Sequence, residues 1–163
     1  RPFLLRYGMV MQLPYDMQVS EFYGRGPIEN YADRKLSQNV GIYKQTADEQ
    51  FYPYIRPQET GTKCDIRWWK QTNDKGFGFR IVSPELFSAS ALHYSIADLD
   101  EGLEKAQRHS PQVPKSKYTE LCIDLGQTGV GGVNSWSKEA IALPPYRLPY
   151  KQYTFTFTLV PQK

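Results

Sequence analysis

The chain has 163 residues, 40% of them hydrophobic and 23% charged, with a net charge of +3. That is the balance of one globular domain with a real core, too short for two comfortable ones. The charge is small and dispersed with no Lys/Arg block, which argues against a nucleic-acid partner, and no apolar stretch approaches the roughly 20 residues that a membrane helix needs.

The opening Arg1-Pro2-Phe3-Leu4-Leu5 shows no Met and no charged-then-apolar leader; either a leader has been removed or the chain is a piece cut from a longer protein, and the immediate apolar run favours the second. Met9, Met11 and Leu13 alternate and predict a first strand. The run Gly24-Arg25-Gly26-Pro27-Ile28-Glu29-Asn30-Tyr31-Ala32-Asp33-Arg34 follows no helix or strand rule. It is expected to be an ordered loop, with Gly24 and Gly26 free to take φ > 0 and Pro27 fixing φ near −65°. Val40 to Lys44 predicts a short strand. Cys64, Ile66 and Trp68 should share one strand face, opposite Asp65, Arg67 and Trp69. Phe77, Phe79 and Ile81 share a face of the next, and a hairpin should pair Ile66–Lys70 with Phe77–Val82 across residues 71–76.

Only one segment reads as helix. Ser95 can cap it, with Asp98 three residues on, and Ile96, Leu99, Leu103 and Ala106 fall near one face. Gly102 keeps it short. Arg108 to Lys117, with Pro111 and Pro114, is a surface connection. Leu121, Ile123 and Leu125 predict another core strand. Ala142 to Pro149, with three prolines, leads to a last strand, Tyr153 to Leu159, with Phe155 and Phe157 toward the core. The sum is all-β: a β-sandwich with one or two short helices.

Several groups invite a chemical reading. Glu29 and Asp33 could be a carboxylate pair for acid–base work, or they could bind backbone amides and the nearby Arg25 and Arg34. The second is preferred, because buried loops need such groups to satisfy their backbone. Gly129-Val130-Gly131-Gly132-Val133-Asn134-Ser135-Trp136 is no phosphate loop, since no Lys-Ser/Thr follows and the spacing fits neither nucleotide fingerprint. Trp136 could stack on a pyranose while Asn134 and Ser135 bond hydroxyls, or it could anchor a core beneath a glycine turn. From the residues alone the two readings balance. His93 and His109 are the only histidines. His93 reads as a hydrogen-bonding residue at a strand end and His109 as solvated, and no His/Cys/Asp cluster has zinc spacing. Cys64 and Cys122 read as buried free thiols. Of Trp68 and Trp69, one should be core.

The loop matches Gly-x-Gly-Pro-x-Glu-Asn-Tyr-x-Asp-Arg. It is followed in order by Pro53-Tyr54-Ile55-Arg56-Pro57-Gln58-Glu59-Thr60-Gly61, Asp65-Ile66-Arg67-Trp68, Phe87-Ser88-Ala89-Ser90-Ala91-Leu92-His93-Tyr94 and the Gly-x-Gly-Gly-x-x-Ser-Trp of residues 129–136. Together, from about Tyr7 to the C-terminus, these resemble the C-terminal small chain domain of the β-galactosidases of glycoside hydrolase family 2. Where many members carry Asp-Asp before Ser-Trp, this chain has Val133-Asn134.

The resemblance implies the C-terminal portion of a galactose-mutarotase-like supersandwich. It makes Gly24, Gly26, Pro27, Glu29, Asn30, Tyr31, Asp33 and Arg34 a structural signature, and Trp136 a sugar contact at the mouth of the active site, with Asn134 and Ser135 beside it. It places the catalytic glutamates of a retaining β-galactosidase in a (β/α) barrel outside this chain, so the fragment alone should be inactive. The expected partners are the remaining domains of the parent, a galactoside and a second copy of the chain, because sheet edges or apolar faces would be left uncovered. No metal or cofactor is assigned to this chain; the magnesium and sodium of full-length relatives fall mostly on residues outside it. The alternatives are an aldose epimerase using His93 with Glu29 or Glu59, and a non-catalytic carbohydrate-binding module. Nothing in the sequence chooses between cytoplasm and periplasm.

Overall fold

The computed structural model describes residues 2–100, 102, 108–134, 136, 137 and 139–163. Its strands are β1 (Phe3–Leu4), β2 (Arg6–Pro14), β3 (Val19–Gly26), β4 (Asn39–Thr46), β5 (Lys63–Thr72), β6 (Gly78–Leu92), β7 (Tyr118–Gln127), β8 (Leu148–Pro149) and β9 (Thr158–Gln162). Two four-residue helices are described, α1 (Ala47–Gln50) and α2 (Ile96–Leu99). The chain is all-β, as its alternation predicts.

A seven-stranded sheet runs in the order β2-β7-β6-β5-β3-β4, every pair antiparallel, and β9 joins β6. β6 is long enough to serve two neighbours on one side. Its Ser88–Leu92 half pairs with β7 and its Gly78–Val82 half with β9. β1 and β8 form a separate two-stranded sheet.

The register lines one face of the large sheet with apolar side chains from edge to edge. Met11 stands opposite Leu121, Leu121 opposite Ala91, Ile81 opposite Trp69, Trp69 opposite Phe22, and Phe22 opposite Tyr43. These residues make one core, on which Phe155 and Phe157 also pack. Phe22 stacks on Trp69 with centroids 4.9 Å apart. The same face holds a satisfied polar group. Gln71 Oε1 accepts from the Trp69 indole and from Ser20 Oγ, each at 2.8 Å, and Gln50 of α1 donates to Ser20 Oγ at 2.9 Å. The other face is buried over β6 and β7 by small and polar side chains: Ser88, Ser90, Cys122 and Asp124.

Several sequence expectations change. Trp69, not Trp68, joins Ile66 in the core, because the β5–β6 register shifts on both sides of Ile66 and Asp65 takes φ 55°. A bulge breaks period-2 alternation, and an odd spacing can then share a face. Trp68 is half-buried beneath the Arg80 guanidinium, 4.9 Å from its ring centre. Cys64 lies with Ser88, on the face opposite Ile66.

The predicted strand at Tyr153 to Leu159 moves to Thr158–Gln162. β9 pairs with β6 only as far as Val82 opposite Thr158. Beyond it stands Pro84, which has no N–H to donate, and the Ser83 hydroxyl instead donates to Thr156 O at 2.9 Å. Phe155 and Phe157 still reach the core.

Gly24 and Gly26 end β3 rather than open a loop, and neither takes positive φ. They are glycines because side chains press on them: an added Cβ would lie 2.4 Å from Ile66 Cδ1 at Gly24 and 2.9 Å from the Tyr43 ring at Gly26. Finally, the sequence reading overlooked α1. Thr46 and Glu49 form a reciprocal capping box there, a Thr-x-x-Glu signal that was legible. The predicted helix at Ser95 begins as expected, with Ser95 Oγ accepting from Asp98 N at 3.0 Å. Leu103 and Ala106 lie outside the described residues. The hairpin of β5 and β6 forms with Thr72 opposite Gly78, but Ile66 stands opposite Phe87 instead of within Phe77–Val82, and Phe77 lies before β6 and is exposed.

Candidate functional site

The signature residues after Gly26 build a clasp. Glu29 is buried, and its carboxylate accepts from Arg34 Nη2 at 2.7 Å, from Gly61 N at 2.7 Å, from Thr60 Oγ1 at 3.2 Å, from Tyr31 OH at 3.4 Å and from Tyr54 OH. Asn30, fully buried, uses both ends of its amide. Nδ2 donates to Arg25 O and Ile28 O, each at 3.0 Å, and Oδ1 accepts from Cys64 N at 2.9 Å. Tyr31 and Arg34 exchange backbone hydrogen bonds at 3.2 and 2.8 Å, and the Arg34 guanidinium stands 5.3 Å from the Tyr31 ring centre. Burial pushes the Tyr31 phenol well up, and the Tyr54 phenol is raised by burial and by its bond to Glu29.

Asp33 sits at the tip of the Tyr31–Arg34 turn and reaches another loop. Its carboxylate accepts from Val130 N at 3.2 Å and Gly131 N at 2.7 Å. Glu29 and Asp33 therefore serve different segments and do not form an acid–base pair.

The glycine loop starts where β7 ends. Gly129 N donates to Tyr146 O at 2.9 Å. The loop ends in a turn built on Asn134, whose Oδ1 accepts from Trp136 N at 3.1 Å and Ser137 N at 2.8 Å, while Nδ2 donates to Ser137 Oγ at 2.9 Å. A short polar side chain closing its own downstream amides is a standard turn device. It leaves Trp136 85% exposed, outside the core of this chain. Asn134 closes the turn that carries the tryptophan, and Ser135 lies outside the described residues.

The histidines go elsewhere. His93 is buried and stacks on Tyr15 at 3.8 Å, with Nδ1 3.4 Å from Tyr118 O and Nε2 3.3 Å from Gln18 Oε1. Burial lowers its pKa. Glu29 and Glu59 are engaged with other partners, so the His–carboxylate pair of an epimerase is not assembled. His109 is exposed, as expected, with Nδ1 2.9 Å from Ile55 O.

A second ionic cluster was not foreseen. Arg6 of β2 pairs with Asp124 at 2.5 Å and with Glu59 at 3.4 Å, and Glu59 accepts from Thr62 Oγ1 at 3.0 Å. Burial raises both the Glu59 and Asp124 carboxyls against the pull of Arg6. The cluster ties the segment Pro53–Gly61 to the β2–β7 edge. No local signal joins residues so far apart in sequence. Among the described residues no group of three or more His, Cys, Asp or Glu side chains is placed to hold a metal ion, and no described helix is long and apolar enough to cross a membrane.

A family model described as beta galactosidase small chain matches residues 2–159. The chain is 38% identical over 161 residues to a beta-galactosidase of Priestia megaterium, covering 98% of this chain and 15% of that protein. It is 36% identical over 154 residues to beta-galactosidase BgaC of Bifidobacterium adolescentis, covering 93% of this chain and 14% of that protein. With a beta-galactosidase of Vibrio cholerae it shares 32% identity over 158 residues, 97% of this chain and 14% of the relative. The chain thus spans only a small part of the length of these relatives. On these matches, the chain belongs to the beta galactosidase small chain family.

Proposed function

We propose that this chain is the C-terminal part of a glycoside hydrolase family 2 β-galactosidase, which hydrolyses terminal β-galactosides by a retaining double displacement. The two catalytic glutamates of such an enzyme lie in its (β/α) barrel, outside this chain. The chain's own contribution is Trp136. The observation that carries the reading is an indole 85% exposed at the end of a glycine loop that is itself tied down at Asp33, Tyr146 and Asn134. A large apolar ring held in water by a built turn is poised to stack on the apolar face of a pyranose.

The chain's other role is assembly. Tyr23 and Ile42 are cross-strand neighbours near the β4 edge, exposed by 37% and 66%, and Val40 is exposed beside them. The remaining domains of the parent cover this face, and the chain on its own associates through it.

The test is Trp136→Ala in the full-length enzyme. KM for a β-galactoside should rise tenfold or more with kcat changing far less; an unchanged KM removes Trp136 from the sugar site. The isolated chain should not turn over a chromogenic β-galactoside, and turnover would place catalytic groups within it.

A further inference from the structure

The glycine loop and the signature loop are ninety-eight residues apart at Asp33 and Gly131, yet they share one carboxylate. We propose that Asp33 is the positioning residue for Trp136: it holds the loop from which the indole projects, and so couples the Gly24–Arg34 signature to sugar binding. This rests on the reading of Trp136 as the sugar contact.

Three observations meet at Asp33. The first is the bonding itself. Oδ1 takes the Val130 amide and Oδ2 the Gly131 amide, at 3.2 and 2.7 Å. Successive backbone amides aimed at one anion form a cradle for negative charge, and bonds to a carboxylate are stronger than neutral ones. The second is the fit of the glycines. A Cβ at Gly129 would stand 2.4 Å from the Asp33 carboxyl carbon, and one at Gly131 would stand 3.0 Å from Oδ2. Side chains at these positions would push the carboxylate out, so the glycines admit it. The third is the rigidity behind Asp33. The residue sits in the turn closed by the Tyr31 and Arg34 backbone pair, and Arg34 is held by buried Glu29. An unbroken series of bonds therefore runs from Gly61 and Thr60 through Glu29, Arg34 and Asp33 to Gly131, five residues before Trp136.

The loop's other end is closed locally by Asn134, which sets the indole relative to its own turn. Among the described residues, Asp33 and the Gly129–Tyr146 bond tie the start of that loop to the rest of the chain. Loss of the carboxylate frees the loop to move as a unit, and the indole is then ordered on the sugar at an entropic cost that weakens binding more than it slows chemistry.

The experiment uses the full-length enzyme with Asp33→Ala, Asp33→Asn, Trp136→Ala and the double variant Asp33→Ala/Trp136→Ala. Hydrogen exchange of peptides spanning residues 129–137 is read beside kinetics. Asp33→Ala should speed exchange in that segment at least tenfold and raise KM about three- to tenfold with kcat altered less, and Asp33→Asn, which keeps one acceptor, should fall between it and wild type. The double variant should show the KM of Trp136→Ala alone, because a freed loop matters only through its tryptophan. Unchanged exchange overturns the proposal, as does a normal KM in Asp33→Ala when Trp136→Ala raises it, or KM losses that multiply in the double variant. If Trp136→Ala leaves KM unchanged, the sugar-contact reading falls by itself, and faster exchange in both Asp33 variants still upholds the tether. Should Asp33→Ala fail to fold, Asp33→Asn carries the same comparisons.

Discussion

The Glu29 carboxylate accepts a 2.7 Å hydrogen bond from the backbone amide of Gly61, thirty-two residues further along the chain. With Arg34, Tyr54 and Thr60 on the same carboxylate, Glu29 joins the signature loop to the segment Pro53–Gly61. An acid or base in catalysis needs a free lone pair facing substrate. Glu29 instead faces donors of its own chain.

Glu29→Ala should therefore act on stability. It strands buried donors and removes the partner of Arg34, which costs about 3 kcal/mol or more. Denaturant unfolding of the chain reads the loss. In the full-length enzyme the fraction that remains folded should keep its kcat; a collapse of kcat at unchanged stability would return Glu29 to the chemistry.

The bulge at Asp65 makes the two adjacent tryptophans unequal. Trp69→Ala empties a fully buried site between Phe22 and Ile81 and should cost about 3–5 kcal/mol. Trp68→Ala loses mainly the Arg80 contact and should cost about 1 kcal/mol. Equal losses by the same unfolding measurement would mean that the strand alternates without a bulge.

Lys63 is buried with its ammonium 2.8 Å from Gly61 O and 5.9 Å from the Phe22 ring centre. Burial brings its pKa down to about 8 from 10.5. Between those values the unfolded chain binds the Lys63 proton and the folded chain releases it. The contribution of this group to stability is thus least favourable below pH 8 and improves as pH rises to about 10.5. The gain is on the order of 3 kcal/mol. Lys63→Met should remove that rise, seen as a flatter difference between the unfolding free energies at pH 7.5 and pH 10. An unchanged slope would mean that the ammonium is solvated.

Cys64 and Cys122 are free and buried on the same face of the sheet as Ser88 and Ser90. Burial raises both thiols, Cys122 to about 12. At pH 7 the thiolate that reacts with a maleimide is scarce and enclosed. The folded chain should resist labelling over hours, and both cysteines should label within minutes in denaturant. Rapid labelling of either in the folded chain would show that face to be open.

Much of the sheet was legible in the residues because a half-buried strand writes its period into the sequence. Leu121 and Ile123, and Met11 and Leu13, lie as their alternation predicts, and the β5–β6 hairpin forms as its turn predicts although its strands do not keep strict alternation. So does the Ser95 cap, a contact within four residues. The clasp character of Glu29 was legible in kind, since a loop without periodicity must satisfy its own backbone. Its partners at Tyr54, Thr60 and Gly61 were not.

Alternation, capping and turn chemistry are local, so they alone specify an all-β chain with one face of its strands apolar, and the order of its motifs points to the family. Tertiary structure decided the rest. The bulge at Asp65 chose Trp69 over Trp68, because register is a property of two strands and not of one. Pro84 ended the pairing that would have extended β9 back toward Phe157. Arg6, Glu59 and Asp124 met because β2 lies against β7. Above all, Trp136 came to lie 85% exposed, outside the core of this chain, and the carboxylate of Asp33 found its partners nearly a hundred residues away. Burial and long-range hydrogen bonding depend on what the folded chain brings near, and no window of the sequence contains that information.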